Sequence, residues 1–350
     1  MYVKKVAAVF IVIAFVLSMY SVVSAASPAS PGMHSGTMKF GGYDRTYQYY
    51  VPSSYNPNKS LPLMLSFHGS GSSADGQILL TKYHEVAEKE GFIVVFPDST
   101  VINPAGEVYT PESNAYDPLN QDIRRWNINT PAATPAMATL LTIDDVGFTA
   151  ALIDKFATEY NIDESRVYAT GMSWGGFFSN HLAVELNGRI AGIGAVTGQM
   201  ALSTPQTQLK RGVAAVYVMG DKDPTVPPTG IPGLTYSVND SISYWKHTNR
   251  TAPKSQVTYL PQIDAEISQA HFGLPAVKDD TKIRREAFTK GKHQSEVILY
   301  TVEGGGHTWP MGPQYLPVAL IGKTSQQMNA SEVIWNDLKK HRIAGLQGKK

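Results

Sequence analysis

The sequence predicts an α/β fold: a mostly parallel central sheet with helices on both faces. Three observations carry that expectation. Short continuous apolar runs, such as 61-LPLMLSFHG-69, 91-GFIVVFPD-98 and 213-VAAVYVMG-220, have the length and composition of strands covered on both sides. Segments with helical spacing alternate with them, as in 144-DDVGFTAALIDKFATEY-160 and 175-GGFFSNHLAVEL-186. The chain has 350 residues, 43% hydrophobic and 17% charged, an ordinary globular composition with length enough for one large domain.

The elements follow in order. Lys4 and Lys5 form a charged start, the apolar run 6-VAAVFIVIAFVLSMYSVV-23 comes next, and 23-VSA-25 ends in small residues. Residues 1–25 therefore read as a secretory signal, cleaved before the polar, Pro-rich 26-ASPASPG-32, although the run is also long enough for a membrane anchor. The mature protein is expected outside the cytoplasm, secreted or periplasmic, with no stable membrane association. Residues 26–35 are expected to be flexible and 36–345 to form one domain.

Within that domain 36-GTMKFGGYDRTYQYYVP-52 alternates like a hairpin. The run 61–69 is a strand, 78–90 a helix and 91–98 a strand. Residues 99–142 have five prolines and no sustained period; a loop of that length in a compact domain is functional or disordered, and its aromatics (Tyr109, Tyr116, Trp126) favour function. The helix 144–160 is capped by Asp144 or Asp145. Strand 166-RVYATG-171, helix 175–186 and strands 190–198 and 213–220 follow. A hairpin is expected across 282–303, and 331-SEVIWNDLKKH-341 closes the chain as a helix with a basic end.

Composition excludes several functions. The formal net charge is +1, and −1 without Lys4 and Lys5, so nothing points to nucleic acid. There are no cysteines, hence no thiol nucleophile and no cysteine metal site. No His/Asp/Glu cluster has ligand spacing, so neither a metal nor another cofactor is expected.

The chemistry is legible in 169-ATGMSWGGFFSN-180. A serine hydroxyl needs a base to take its proton and donors to hold the resulting oxyanion. The pentapeptide Gly171-Met172-Ser173-Trp174-Gly175 lies between an apolar strand and a helix, the context in which a sharp turn lifts the hydroxyl clear of the backbone. Ser173 is the candidate nucleophile.

In the chain order of α/β-hydrolases an acid and then a histidine follow the serine. Of nine histidines, His34, His68 and His84 precede it, His181, His247 and His341 lie in expected helices, and His271 and His293 lie in a charged insertion and a hairpin turn. His307 remains, on the loop 304-GGGHTWP-310 after the last long strand. Asp221 and Asp223, in 221-DKDPTVP-227, both qualify as the acid; Asp223 precedes Pro224, which holds it extended. The oxyanion donors are expected to be the backbone N–H groups of Trp174 and of Ser70, in 68-HGSGSS-73.

The segments 68-HGSG-71, 144-DDVGF-148, 166-RVYATGMSWGG-176, 220-GDKDPTVP-227, 303-EGGGHTWP-310 and 330-ASEVIW-335 resemble, in this order, the secreted esterase family of polyhydroxybutyrate depolymerases and feruloyl esterases. The resemblance spans nearly the whole mature chain. It implies an α/β-hydrolase fold and carboxylic-ester hydrolysis through an acyl-enzyme. The family's triad falls on Ser173, Asp223 and His307, which settles Asp223 over Asp221. Substrate would be a polyester, polymeric or oligomeric, or a feruloylated or acetylated polysaccharide, with Trp126, Trp309 and Tyr116 as expected contacts. Two departures touch the substrate groove: the cysteines that relatives often carry near the Trp126-Asn127 pair are missing, and 261-PQIDAEISQAHFGLPAVKDD-280 is longer than expected. A catalytically silent binding protein and an amide-cleaving peptidase are the alternatives. Only one helix and a basic tail follow His307, which leaves no room for a polymer-binding module. Soluble esters or short oligomers are therefore expected to be better substrates than crystalline polymer.

Overall fold

The computed structural model describes residues 29–109, 121–207 and 209–345. The expected signal over residues 1–25 and the candidate Tyr116 lie outside these residues.

The chain enters on a hairpin, β1 (Gly32–Phe40) and β2 (Tyr43–Val51), paired from Gly32↔Val51 to Phe40↔Tyr43. Residues 32–35 thus belong to a strand rather than to the flexible segment expected there, and the His34 ring lies 5.2 Å from that of Tyr49 across the pair. After β3 (Leu61–Phe67) the single helix expected over 78–90 is two, α1 (Ala74–Thr81) and α2 (Tyr83–Glu90). Lys82 between them takes a left-handed φ of 50°, and the Tyr83 ring packs against that of Trp309 at 5.9 Å. β4 (Ile93–Pro97) follows.

The long segment expected as a loop carries structure too short to show a period. β5 (Val101–Ile102) pairs with β6 (Val108–Tyr109) and β7 (Ile123–Arg124), and α3 (Pro135–Leu140) covers a small core of Ile102, Ala136, Leu140 and Ile143. α4 (Asp145–Glu159) is capped by Asp144, whose side chain accepts from Gly147 N at 2.7 Å. Asp145 is instead buried in an ion pair with Arg45 at 2.6 Å.

The remaining elements are β8 (Ile162–Met172), α5 (Trp174–Glu185), β9 (Gly192–Val196), β10 (Ala214–Gly220), α6 (Val238–Asn249) and β11 (Gln256–Tyr259). Then come β12 (Glu266–Ile267), β13 (Val277–Lys278), β14 (Lys282–Phe288), β15 (Val297–Glu303), α7 (Val318–Ile321) and α8 (Ala330–Leu338). The main sheet runs β1-β2-β4-β3-β8-β9-β10-β15-β14-β11, with every pair from β4 to β15 parallel and the outer pairs antiparallel. Helices cover both faces. Phe148, Phe156, Phe178 and Trp245 from α4, α5 and α6 fill one core, and Tyr83, Ile334 and Trp335 from α2 and α8 fill the other. The long segment 261–280 forms the β12–β13 hairpin and braces the chain beyond His307: Ile263 N donates to Gln327 Oε1 at 2.7 Å and Val318 N to Gln269 Oε1 at 2.8 Å.

His181 is buried in α5 against Phe178, and burial lowers its pKa to about 4. His68 is fully buried and lowered to about 4 for the same reason. An unfolded histidine titrates near ~6.5, so between there and about pH 4 the unfolded chain binds protons that the folded chain does not. Stability is expected to fall as pH drops through that window, and a His181→Phe variant to show a shallower fall. Denaturant midpoints from pH 7 to 4 measure this; equal slopes in the two proteins would count against it.

Candidate active site

Ser173 stands at the turn from β8 into α5 with φ 54° and ψ −119°, a conformation that costs a non-glycine residue roughly 1–3 kcal/mol. The surroundings impose it. Ser173 N donates to Val196 O at 2.9 Å, and its carbonyl accepts from Phe177 N at 3.0 Å in the first turn of α5. Glycine is required on either side, because a Cβ on Gly171 or Gly175 would run into the backbone carbonyl of Phe67.

His307 and Asp223 come from the ends of neighbouring parallel strands, β15 and β10. His307 Nδ1 lies 2.7 Å from Asp223 Oδ2, with both residues buried. The other carboxylate oxygen accepts from Thr225 N at 2.8 Å and Val226 N at 2.7 Å. Oδ1 is thereby occupied by donors, and Oδ2 is left to receive the imidazole N–H, which makes Nε2 the free acceptor. Asp221, the other acid considered, accepts from Gly304 N at 2.6 Å and so anchors the loop that carries His307. Tyr315 donates to the His307 carbonyl at 2.6 Å.

Ser173 and His307 line one cleft of about 560 Å³. Ser70, Met172, Leu79, Leu80, Pro313 and Tyr315 line it too, and among its described walls there is no Asp, Glu, Lys or Arg. The backbone N–H groups beside the serine fall into two sets. Those of Ser173, Gly71 and Ser72 are bonded to Val196, Arg124 and Gly69 carbonyls. Those of Ser70 and Trp174 have no such backbone partner among the described residues.

The Ser70 loop is held from behind by residues the sequence reading did not assign. His68 is a neutral buried imidazole: Nδ1 donates to Gly69 O at 2.7 Å, and Nε2 accepts from Ser99 N at 3.1 Å. Asp98 pairs with Arg124 at 2.5 Å and accepts from Ala74 N at 2.8 Å. Arg125 reaches both halves of the turn region: Nε donates to Ser70 Oγ at 2.8 Å, and the guanidinium lies 4.7 Å from the centre of the Trp174 ring. Two adjacent arginines before a tryptophan were the available signal, but sequence spacing alone does not show what they reach.

Trp126 and Trp309 are corrections. Both are fully buried and neither lines the cleft, so they do not serve as substrate contacts. Trp126 lies nearly parallel to Phe178 (8°, 5.1 Å), donates to the His68 carbonyl at 3.0 Å and accepts from Trp174 Nε1 at 2.7 Å. It joins the two N–H-bearing loops from inside. Trp309 donates to Ser331 Oγ at 3.1 Å and holds α8. Trp126→Ala is therefore expected to cost roughly 3–5 kcal/mol of stability. A lowered denaturant midpoint with unchanged preference between aryl and short acyl esters would be the signature; a shifted preference at unchanged midpoint would restore the wall reading.

No group of three or more His, Asp or Glu side chains that could hold a metal occurs among the described residues. No helix among them is long and apolar enough to cross a membrane.

No family model matches the chain. It is 24% identical over 300 residues to NocK of Nocardia uniformis subsp. tsuyamanensis, which is named as an esterase, covering 83% of this chain and 78% of that protein. It is 26% identical over 285 residues to the bifunctional acetylxylan esterase/xylanase XynS20E of Neocallimastix patriciarum, covering 78% of this chain and 37% of the relative. A poly(3-hydroxybutyrate) depolymerase of Ralstonia pickettii is 28% identical over 188 residues, 49% of this chain and 34% of the relative. The chain thus spans well under half of the latter two proteins. Among solved structures, the acetyl xylan esterase from Aspergillus awamori superposes with a TM-score of 0.50 at 14% identity, over 79% of this chain and 94% of that one. The fold is that of α/β-hydrolases, and the chain's relatives are esterases, as the resemblance implied.

Proposed function

We propose that this ester hydrolase works through an acyl-enzyme on Ser173, with His307 as general base and Asp223 as its orienting acid. The observation that carries the reading is the shared cleft: a serine on a strained strand–helix turn opens into the same space as a histidine whose other nitrogen is bonded to a buried carboxylate. In that geometry His307 Nε2 takes the Ser173 proton as Oγ attacks the ester carbonyl. The developing oxyanion is met by the N–H groups of Ser70 and Trp174, and the imidazolium by Asp223. His307 then protonates the departing alcohol, and water repeats the sequence to release the acid.

The cleft's apolar walls, Leu79, Leu80, Met172 and Pro313, suit an uncharged acyl group. Esters of the kinds named for the relatives, acetylated or feruloylated polysaccharide and hydroxybutyrate polyester, fall in that class. Export by the N-terminal signal belongs to the same proposal. A panel of p-nitrophenyl acetate, a feruloyl ester and a hydroxybutyrate trimer tests it; absence of turnover on all three, with amide cleavage instead, would sink the esterase reading. Release from a solid hydroxybutyrate film faster than from the trimer at matched ester concentration would reverse the preference for soluble substrates.

Arg125 is a positioning residue in this scheme, since it touches Ser70 and Trp174 and does not line the cleft. Arg125→Ala is expected to lower kcat roughly tenfold with KM little changed, because the donors act on the transition state. Affinity for a boronate transition-state analogue should fall in parallel. A rise in KM alone would remove Arg125 from this role.

A further inference from the structure

A second cleft, of about 720 Å³, shares no lining residue with the serine cleft. Lys246 and Arg250 at the end of α6 line it, together with Lys292 from the turn Lys292–Gln294 between β14 and β15. Lys292 and Leu209 precede β15 and β10, whereas His307 and Asp223 follow those same parallel strands. The two clefts therefore sit at opposite ends of the sheet.

Among the described residues no Asp or Glu lines this second cleft. Its three cations make no ion pair among the described residues, although on adjoining segments Arg284, Arg285 and Lys340 are paired with Glu286, Asp337 and Glu296. Lys246 packs over the Phe288 ring at 4.1 Å, which holds its ammonium in place. Exposed Lys254 and Lys290 extend the charge, on segments joined by the bond from Ala252 N to Thr289 O at 2.9 Å. The negative end of α6 accounts for cations at its own last turn. It does not account for Lys292 on a separate turn. In a chain whose formal net charge is +1, this is a local concentration of unpaired positive charge.

The rest of the lining narrows the kind of anion. Tyr244, Thr248 and Gln206 line the cleft as well; the Gln206 NH₂ is bonded to Thr204 O, which leaves its amide oxygen to accept from a ligand hydroxyl, as suits a sugar. The Arg250 guanidinium can take a carboxylate bidentately, and Lys292 stands on a different segment from Lys246 and Arg250, so the charges face anions spaced along a chain. A lipid surface would need apolar side chains standing out at the rim, and Leu209, the aliphatic member, is buried. We propose that this cleft binds an acidic polysaccharide through its uronate carboxylates. It is a docking site separate from the serine cleft and independent of what that cleft hydrolyses.

The test uses the full chain carrying Ser173→Ala, so that binding is read without hydrolysis, and titrates polygalacturonate by calorimetry at two salt concentrations. Binding should weaken with salt, and a neutral β-glucan should give none. The K246Q/R250Q/K292Q variant should bind at least tenfold more weakly. With Ser173 restored, that triple variant should keep kcat/KM on p-nitrophenyl acetate within about twofold of wild type, since none of the three lines the serine cleft. Lys292→Glu alone, on a surface turn, should weaken binding at least threefold, so the answer does not depend on the triple variant folding. Failure to bind polygalacturonate, or binding unchanged by these substitutions, would overturn the proposal. So would equal or tighter binding of polyphosphate or phosphatidylserine vesicles. An inactive wild type that still binds would refute the esterase reading and leave this one standing.

Discussion

Ser173→Ala is expected to lower kcat on a p-nitrophenyl ester by at least roughly 10³-fold, with the remainder supplied by binding and by the N–H groups of Ser70 and Trp174. The substitution removes one oxygen from a side chain that is only partly buried, and φ 54° is strained for alanine as for serine. The fold should therefore be intact, and the loss should lie in chemistry rather than in stability. Two measurements separate these: a denaturant midpoint close to wild type, and loss of the burst that acyl-enzyme formation gives. Activity within about tenfold of wild type would remove Ser173 as the nucleophile.

Asp223→Asn should be nearly as severe, about 10³–10⁴-fold in kcat, for a reason specific to this site. Asp223 Oδ1 accepts from two backbone N–H groups, those of Thr225 and Val226. An asparagine must keep its carbonyl oxygen there, because its NH₂ cannot face two donors. The NH₂ then faces His307 Nδ1, which must become an acceptor, and the proton moves to Nε2. A histidine protonated on Nε2 cannot take a proton from Ser173. Asp223→Ala, which leaves either tautomer open, should be less damaging than Asn. The reverse ranking would overturn the tautomer argument. Asp221→Asn, which retains an acceptor for Gly304 N, is the control.

Much of this site was legible because its signals are local. The apolar strand, the two glycines and the change to helical spacing mark Ser173 without any knowledge of distant contacts. His307 followed from its place after the last long strand. Asp221 and Asp223, two residues apart on one turn, could not be separated by residue reading, and the structure gives them different partners, Gly304 and His307. The failures share one cause. An aromatic ring in an aperiodic segment carries no sign of which way it faces, so Trp126 read as a wall and proved to be a strut. Trp309, next but one to His307, misled in the same way. Lys82 breaks a helix with no proline or glycine to announce it. Arg125 and His68 act through residues brought near only by the finished sheet.

The strand order has a consequence for how activity returns after denaturation. β8, β10 and β15 carry the three groups, and they meet only when the parallel pairs β8–β9, β9–β10 and β10–β15 have all formed. Asp223 and His307, in direct contact, are 84 residues apart in the chain. Contacts of such separation form late and slowly, because loop closure must precede their reward. No fragment lacking the last long strand can hold His307 near Ser173. Regain of ester hydrolysis after dilution from denaturant should therefore lag behind regain of helical circular dichroism and coincide with protection of the β10 and β15 amides from hydrogen exchange. Turnover would then serve as a clock for completion of the sheet's centre.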